Sequence, residues 1–74
     1  MRVVNIVVTD RGGGRNHAAA DLTLNKVYTA FRSEVGDFVN GCVNEFTYYE
    51  LVDDVGDHCG IYENYQGIVL HEVP

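Results

Sequence analysis

The hydrophobic positions of the chain fall into short runs divided by polar and glycine-rich breaks, the arrangement expected of strands joined by turns. Residues 3–8 are β-branched apart from Asn5 and predict a first strand. Thr9, Asp10 and Arg11, the consecutive glycines Gly12, Gly13 and Gly14, then Arg15 and Asn16, form a breaker segment. With the alanines that follow, it reads as a flexible loop over about residues 9–20. Ala18, Ala19 and Ala20, flanked by His17 and Asp21, make at most one helical turn, too short to hold itself together in water. From Leu22 the period changes to two: Val27, Thr29 and Phe31 alternate with Tyr28, Ala30 and Arg32, which predicts a strand with two different faces. Turns are expected at Gly36-Asp37 and Asn40-Gly41. Residues 46–52 carry the strongest β signal, because nearly every side chain there suits a pleated surface. Residues 53–57 supply a polar turn, 58–62 a further strand, 63–67 an interruption and 68–73 a closing run. This pattern predicts an all-β fold, a small barrel of about five strands forming one domain over residues 1–74, with its body at 21–74. Closing the sheet into a barrel would leave no edge to protect.

Composition narrows the functional classes. The chain has 74 residues, of which 46% are hydrophobic and eight are aromatic. That excludes a wholly disordered polypeptide, and the apolar runs are far short of a membrane span. A chain of this size buries only roughly 60% of its unfolded surface, which leaves a thin stability margin and little room for a deep catalytic pocket. A binding module is therefore expected rather than an enzyme. The apolar start is interrupted by Asn5 and ended by Asp10 and Arg11, so no export signal is read. Cys42 and Cys59 form no CxxC motif and read as free thiols of a reducing cytoplasm, a cross-strand disulfide between them being the alternative.

Charge changes the picture more. All five basic residues, Arg2, Arg11, Arg15, Lys26 and Arg32, lie in the first 32 positions, where Asp10 and Asp21 alone oppose them and leave +3. The rest of the chain has no cation and nine acids, Glu34, Asp37, Glu45, Glu50, Asp53, Asp54, Asp57, Glu63 and Glu72, giving −9 and the overall −6. Two electrostatically distinct surfaces are expected, or one arm folding onto an oppositely charged body.

Most chemical motifs fail on spacing. The glycine loop lacks the third glycine of a dinucleotide fingerprint and the lysine and hydroxyl of a phosphate loop. His17, Cys42, His58, Cys59 and His71 match no zinc pattern, and residues 53–57 lack the ligand set of a calcium loop. Adjacent His58 and Cys59 point to opposite strand faces, which separates a thiol from its only neighbouring base. No metal, cofactor or catalytic residue is expected. The aromatics exceed what a minimal barrel buries, so Tyr48, Tyr49, Tyr62 and Tyr65, with Glu50, Asp53, Asp54 and Asp57, are the candidate partner-binding residues. Tyrosine amid carboxylates suits a basic protein partner, since phosphates would be repelled there. Arg11 and Arg15 straddle the glycines and are candidate arm contacts to phosphates or an acidic patch.

The order Asp21-Leu22-Thr23-Leu24-Asn25-Lys26-Val27-Tyr28, an aromatic strand, Val52-Asp53-Asp54-Val55-Gly56-Asp57, Ile61-Tyr62 and a closing Ile68-Val69-Leu70 resembles small SH3-like barrel proteins encoded by bacteriophages. Tyr62-Glu63-Asn64-Tyr65 also looks like the turn before the last strand of eukaryotic SH3 domains, but the chain has no tryptophan and no proline ahead of Asn64, so a polyproline groove is not supported. The resemblance implies a phage-encoded regulatory protein in the cytoplasm of an infected bacterium, binding a host protein complex, RNA polymerase first. Two alternatives stand beside it: an acidic DNA mimic that inhibits a nuclease or defence complex, and a nucleic-acid binder using the Arg11 and Arg15 arm.

Overall fold

A computed structural model describes residues 2–12, 20–39, 41–63 and 67–74. The strands in chain order are β1 (Arg2–Arg11), β2 (Val27–Ser33), β3 (Phe38–Val39), β4 (Cys42–Val43), β5 (Tyr48–Val52), β6 (His58–Tyr62) and β7 (Ile68–Val73). Five of them form one antiparallel sheet in the order β6-β5-β2-β1-β7, and β3 pairs with β4 in a separate hairpin. The sheet curls into the half-barrel of a small SH3-like fold, and the described residues contain no α-helix.

The period-two pattern decides which side is dry. Ile6, Val8, Tyr28, Ala30, Tyr49, Leu51, Ile61 and Ile68 form the buried cluster, and Leu22 joins it from the segment before β2. Val4, Cys59 and Leu70 pack against that cluster. The intervening residues Val3, Val27, Phe31, Val52, Tyr62 and Val69 are exposed on the opposite face. A one-residue slip of any strand would exchange the two sets, so burial on one side fixes the register.

Three expectations are corrected or sharpened. Strand β1 does not end at residue 8: Asp10 and Arg11 pair with Val69 and Ile68 across a register shift after Val8. Available partners on β7 outweigh the turn-forming preferences of Thr9, Asp10 and Arg11. The part of the predicted loop at residues 13–19 lies outside the described residues. Second, the expected small barrel of about five strands is present as a curled half-barrel, with β6 and β7 at opposite ends of the strand order among the described residues. Third, the residues on either side of the turn expected at Asn40-Gly41, to which no strand was assigned, make the β3–β4 hairpin, with Val39 opposite Cys42. Gly41 lies between the two strands at a φ of 83°, which glycine adopts without penalty. Backbone bonds from Gly36 to the Asn44 carbonyl (2.9 Å) and from Asn44 to the Asp37 carbonyl (2.8 Å) fasten the hairpin at its base.

Candidate functional site

Tyr48 and Tyr62 face each other across β5 and β6. Their ring centroids are 4.9 Å apart, and Phe46 meets Tyr62 edge-on at 6.5 Å. Gly60 makes this packing feasible: a Cβ there would sit 2.6 Å from Cε2 of Tyr48, so only a glycine lets the tyrosine ring lie across β6. Burial, with the neighbouring charge of Glu50, pushes the Tyr48 phenol above its usual range. The ring stays neutral and apolar in ordinary conditions.

Beside this aromatic row is an open groove of about 580 Å³. Cys42, Val43, Asn44, Glu45 and Phe46 form one wall, and Tyr62 and Glu63 form the other. A hydrogen bond from the Glu63 amide to the Thr47 carbonyl (2.9 Å) fixes the second wall. Phe46 is 58% exposed and Val43 60%, so the lining presents apolar surface between two carboxylates. Asn44 is 95% buried, and its side-chain Nδ2 is a buried donor with no partner among the described residues. A buried amide left unbonded costs about 1–3 kcal/mol, so it stands in need of an acceptor.

The structure packs Tyr48 against Tyr62, which lines this groove, and Glu50 lies two residues beyond Tyr48 on the same strand face, half-buried. Asp57 is exposed in the turn before β6. The other predicted contacts lie away from the groove or outside the described residues, and Tyr49 alone is corrected. Tyr49 faces inward and is buried; its hydroxyl donates to Glu72 at 3.1 Å and Arg32 lies 5.8 Å over its ring. Asp53 accepts the amides of Val55 (3.1 Å) and Asp57 (2.9 Å), which holds its own turn. Asp54 accepts from Thr23 Oγ1 at 2.5 Å, from Lys26 Nζ at 2.8 Å and from the Tyr28 hydroxyl at 2.8 Å. Those three donors hold its carboxyl at about 2, below the ordinary range. Arg11 is a strand residue whose Nη1 donates to the Leu22 carbonyl at 3.5 Å. Tyr65 and Arg15 lie outside the described residues.

Charge that is segregated along the sequence is recombined in space. Arg32 Nε sits 2.8 Å from Glu34, and Arg32 also bonds Glu72. Arg2 approaches Glu34 at 3.9 Å and Glu72 at 3.7 Å. The first of the two charge expectations, separate basic and acidic surfaces, gives way to basic strands folded against acidic ones. Glu45, Glu50, Asp57 and Glu63 take part in no ion pair among the described residues.

The two cysteines are free, Cys42 exposed on β4 and Cys59 half-buried on β6. Burial, with the nearby Asp53 and Asp21, pushes the Cys59 thiol up to about 11, which makes it a poor nucleophile at neutral pH. No group of three or more metal-ligating side chains occurs among the described residues, and no helix there is long and apolar enough to cross a membrane. Comparison with protein-family models, curated proteins and solved structures returns no match.

Sequence reasoning missed Asn44, Glu45, Phe46 and Glu63 as a group. Phe46 was visible as the start of the strongest β run, but its role depends on the chain leaving the sheet at residues 44–47, which local propensity does not signal.

Proposed function

We propose that the chain is a protein-binding module that engages a positively charged, partly apolar segment of a partner through the groove between Phe46 and Tyr62. The observation that carries this reading is the combination in one groove of exposed aromatic surface and the flanking carboxylates of Glu45 and Glu63. Aromatic anchors supply desolvation energy at such an interface, and the carboxylates steer a basic partner. The resemblance to phage-encoded SH3-like barrels makes a host protein complex the class of partner, with RNA polymerase the first to test and its activity regulated by the encounter. An acidic DNA-mimic role draws less support, because Asp53 and Asp54 are engaged inside the fold and Glu34 and Glu72 are paired with arginines. A nucleic-acid arm draws less support too, since Arg11 belongs to β1.

The test is capture from bacterial lysate with the intact chain and with Phe46→Ser. Recovery of polymerase subunits by the former and their loss with the latter is the expected result. Equal recovery by both would remove the groove from the interface.

A further inference from the structure

The outer face of the sheet carries a carboxylate set between aromatic rings. Glu50 on β5 has Phe31 of β2 opposite it on one side and Gly60 of β6 opposite it on the other. Directly opposed residues of an antiparallel pair share a face, so Glu50 and Phe31 project from the sheet together. Because Gly60 has no side chain, the Tyr48 ring lies across its place and bounds the carboxylate on that flank. The charge of Glu50 helps to hold the Tyr48 phenol above its usual range, as expected of near neighbours. Phe31 is 50% exposed and Val52 47%, and with Thr29 and the exposed His58 they enclose a depression of about 240 Å³ beside Glu50. Half-buried Glu50 makes no ion pair there among the described residues.

We propose that this depression is a binding site for one arginine side chain of a partner protein, its guanidinium laid on the Phe31 ring and bonded to the Glu50 carboxylate. The site is distinct from the groove and goes beyond the reading given above. Size limits the occupant. Pockets that enclose a small molecule measure roughly 300–1,000 Å³, so this smaller depression suits a single side chain delivered by a larger body. Charge sets the sign, since a half-buried carboxylate without a cation gains from a partner that brings one. A lone carboxylate among carbon atoms falls far short of the roughly six oxygens that a calcium ion takes, so an organic cation fits better than a metal. Of the two organic cations, the guanidinium is flatter and less strongly hydrated. It stacks on an aromatic face while its paired N–H groups meet both carboxylate oxygens, whereas a lysine ammonium acts as a hydrated point charge. A partner is the source rather than a second copy, because Arg2 and Arg32 already engage Glu34 and Glu72, and Arg11 donates to the Leu22 carbonyl.

The experiment titrates the full chain with capped Gly-Arg-Gly and its lysine and citrulline counterparts at millimolar concentration, followed by two-dimensional NMR. The arginine peptide is expected to shift the signals of Thr29, Phe31, Val52 and His58. It should bind about tenfold or more tightly than the citrulline peptide, which keeps the shape and lacks the charge. Glu50→Gln keeps the side-chain shape and abolishes that difference, with circular dichroism showing the fold retained. Phe31→Leu keeps an apolar surface and weakens the arginine peptide by about two- to fivefold. Equal binding of the arginine and citrulline peptides, or a difference that survives Glu50→Gln, would overturn the site. A lysine peptide bound as tightly as the arginine one would overturn the guanidinium. Shifts confined to Val43 and Phe46 would put the cation in the groove, which supports the protein-binding reading and removes this second site. No binding of any peptide would also overturn it, the groove reading then standing or falling on the lysate capture. Shifts of the same four signals with rising protein concentration alone would make a second copy the source and overturn the partner's arginine.

Discussion

Three donors hold the Asp54 carboxylate in its charged form, those of Lys26 and Thr23 in the segment leading into β2 and that of Tyr28 in β2 itself. Its folded value of about 2 lies below an unfolded carboxylate near 3.9, so the contribution is complete above about pH 4 and is lost as pH falls through 2. Lys26, raised by the same contact, carries the alkaline counterpart: its contribution is present below about 10.5 and fades as pH rises through the folded value. Asp54→Asn is expected to lower the melting temperature at neutral pH and to flatten its decline between pH 4 and 2, as followed by circular dichroism. Gly60 poses the opposite constraint, an absent side chain. Gly60→Ala is expected to destabilise by about 1–3 kcal/mol through overpacking against Tyr48, and the loss should shrink in a Tyr48→Ser background. Equal losses in the two backgrounds, read from urea denaturation, would show that the ring is not the obstacle.

At the level of elements, Leu22 anchors the described segment that leads into β2. It is 1% exposed and plugs the half-barrel from the stretch between β1 and β2. Leu22→Ala is expected to cost about 2–5 kcal/mol, a large share of the roughly 5–15 kcal/mol available to a small domain, and a denaturant midpoint measures it. Phe46→Ser, on exposed surface, should change stability by no more than about 0.5 kcal/mol while weakening partner capture. Strands β2, β5, β6 and β7 were legible because alternation and turn chemistry are local. The extension of β1 was not, since Asp10 and Arg11 join the sheet through Val69 and Ile68, residues distant in the chain. The candidate site was legible in Tyr48 and Tyr62 and in the acidity around them. Tyr49 was misjudged because two adjacent tyrosines give no local sign of which one faces the core. The hydrogen bonds of Asp53 and Asp54 were not legible, because the donors of Asp54, Thr23, Lys26 and Tyr28, are distant in the chain and are brought to it only by the fold. The motif that carried the resemblance thus turns out to be a clamp between two loops.

For the molecule as a whole, the net charge of −6 is what remains after the basic strands have been folded against Glu34, Glu72 and Asp54. The surplus lies with carboxylates such as Glu45, Glu50, Asp57 and Glu63, on the groove and on the turn and strands beside it. Association with a basic partner should slow as salt rises from 50 to 500 mM, with dissociation changing less, because screening acts on steering more than on desolvated contacts; stopped-flow mixing with the captured partner measures both rates. The pairing of β1 with β7 has its own consequence for how the molecule comes into being. Asn5 lies opposite Val73, so β1 has one flank bare until β7, made more than fifty residues later, arrives. The half-barrel is completed only once β7 has been synthesised, and until then Val4, Ile6 and Val8 are available to chaperones or to the wrong neighbour.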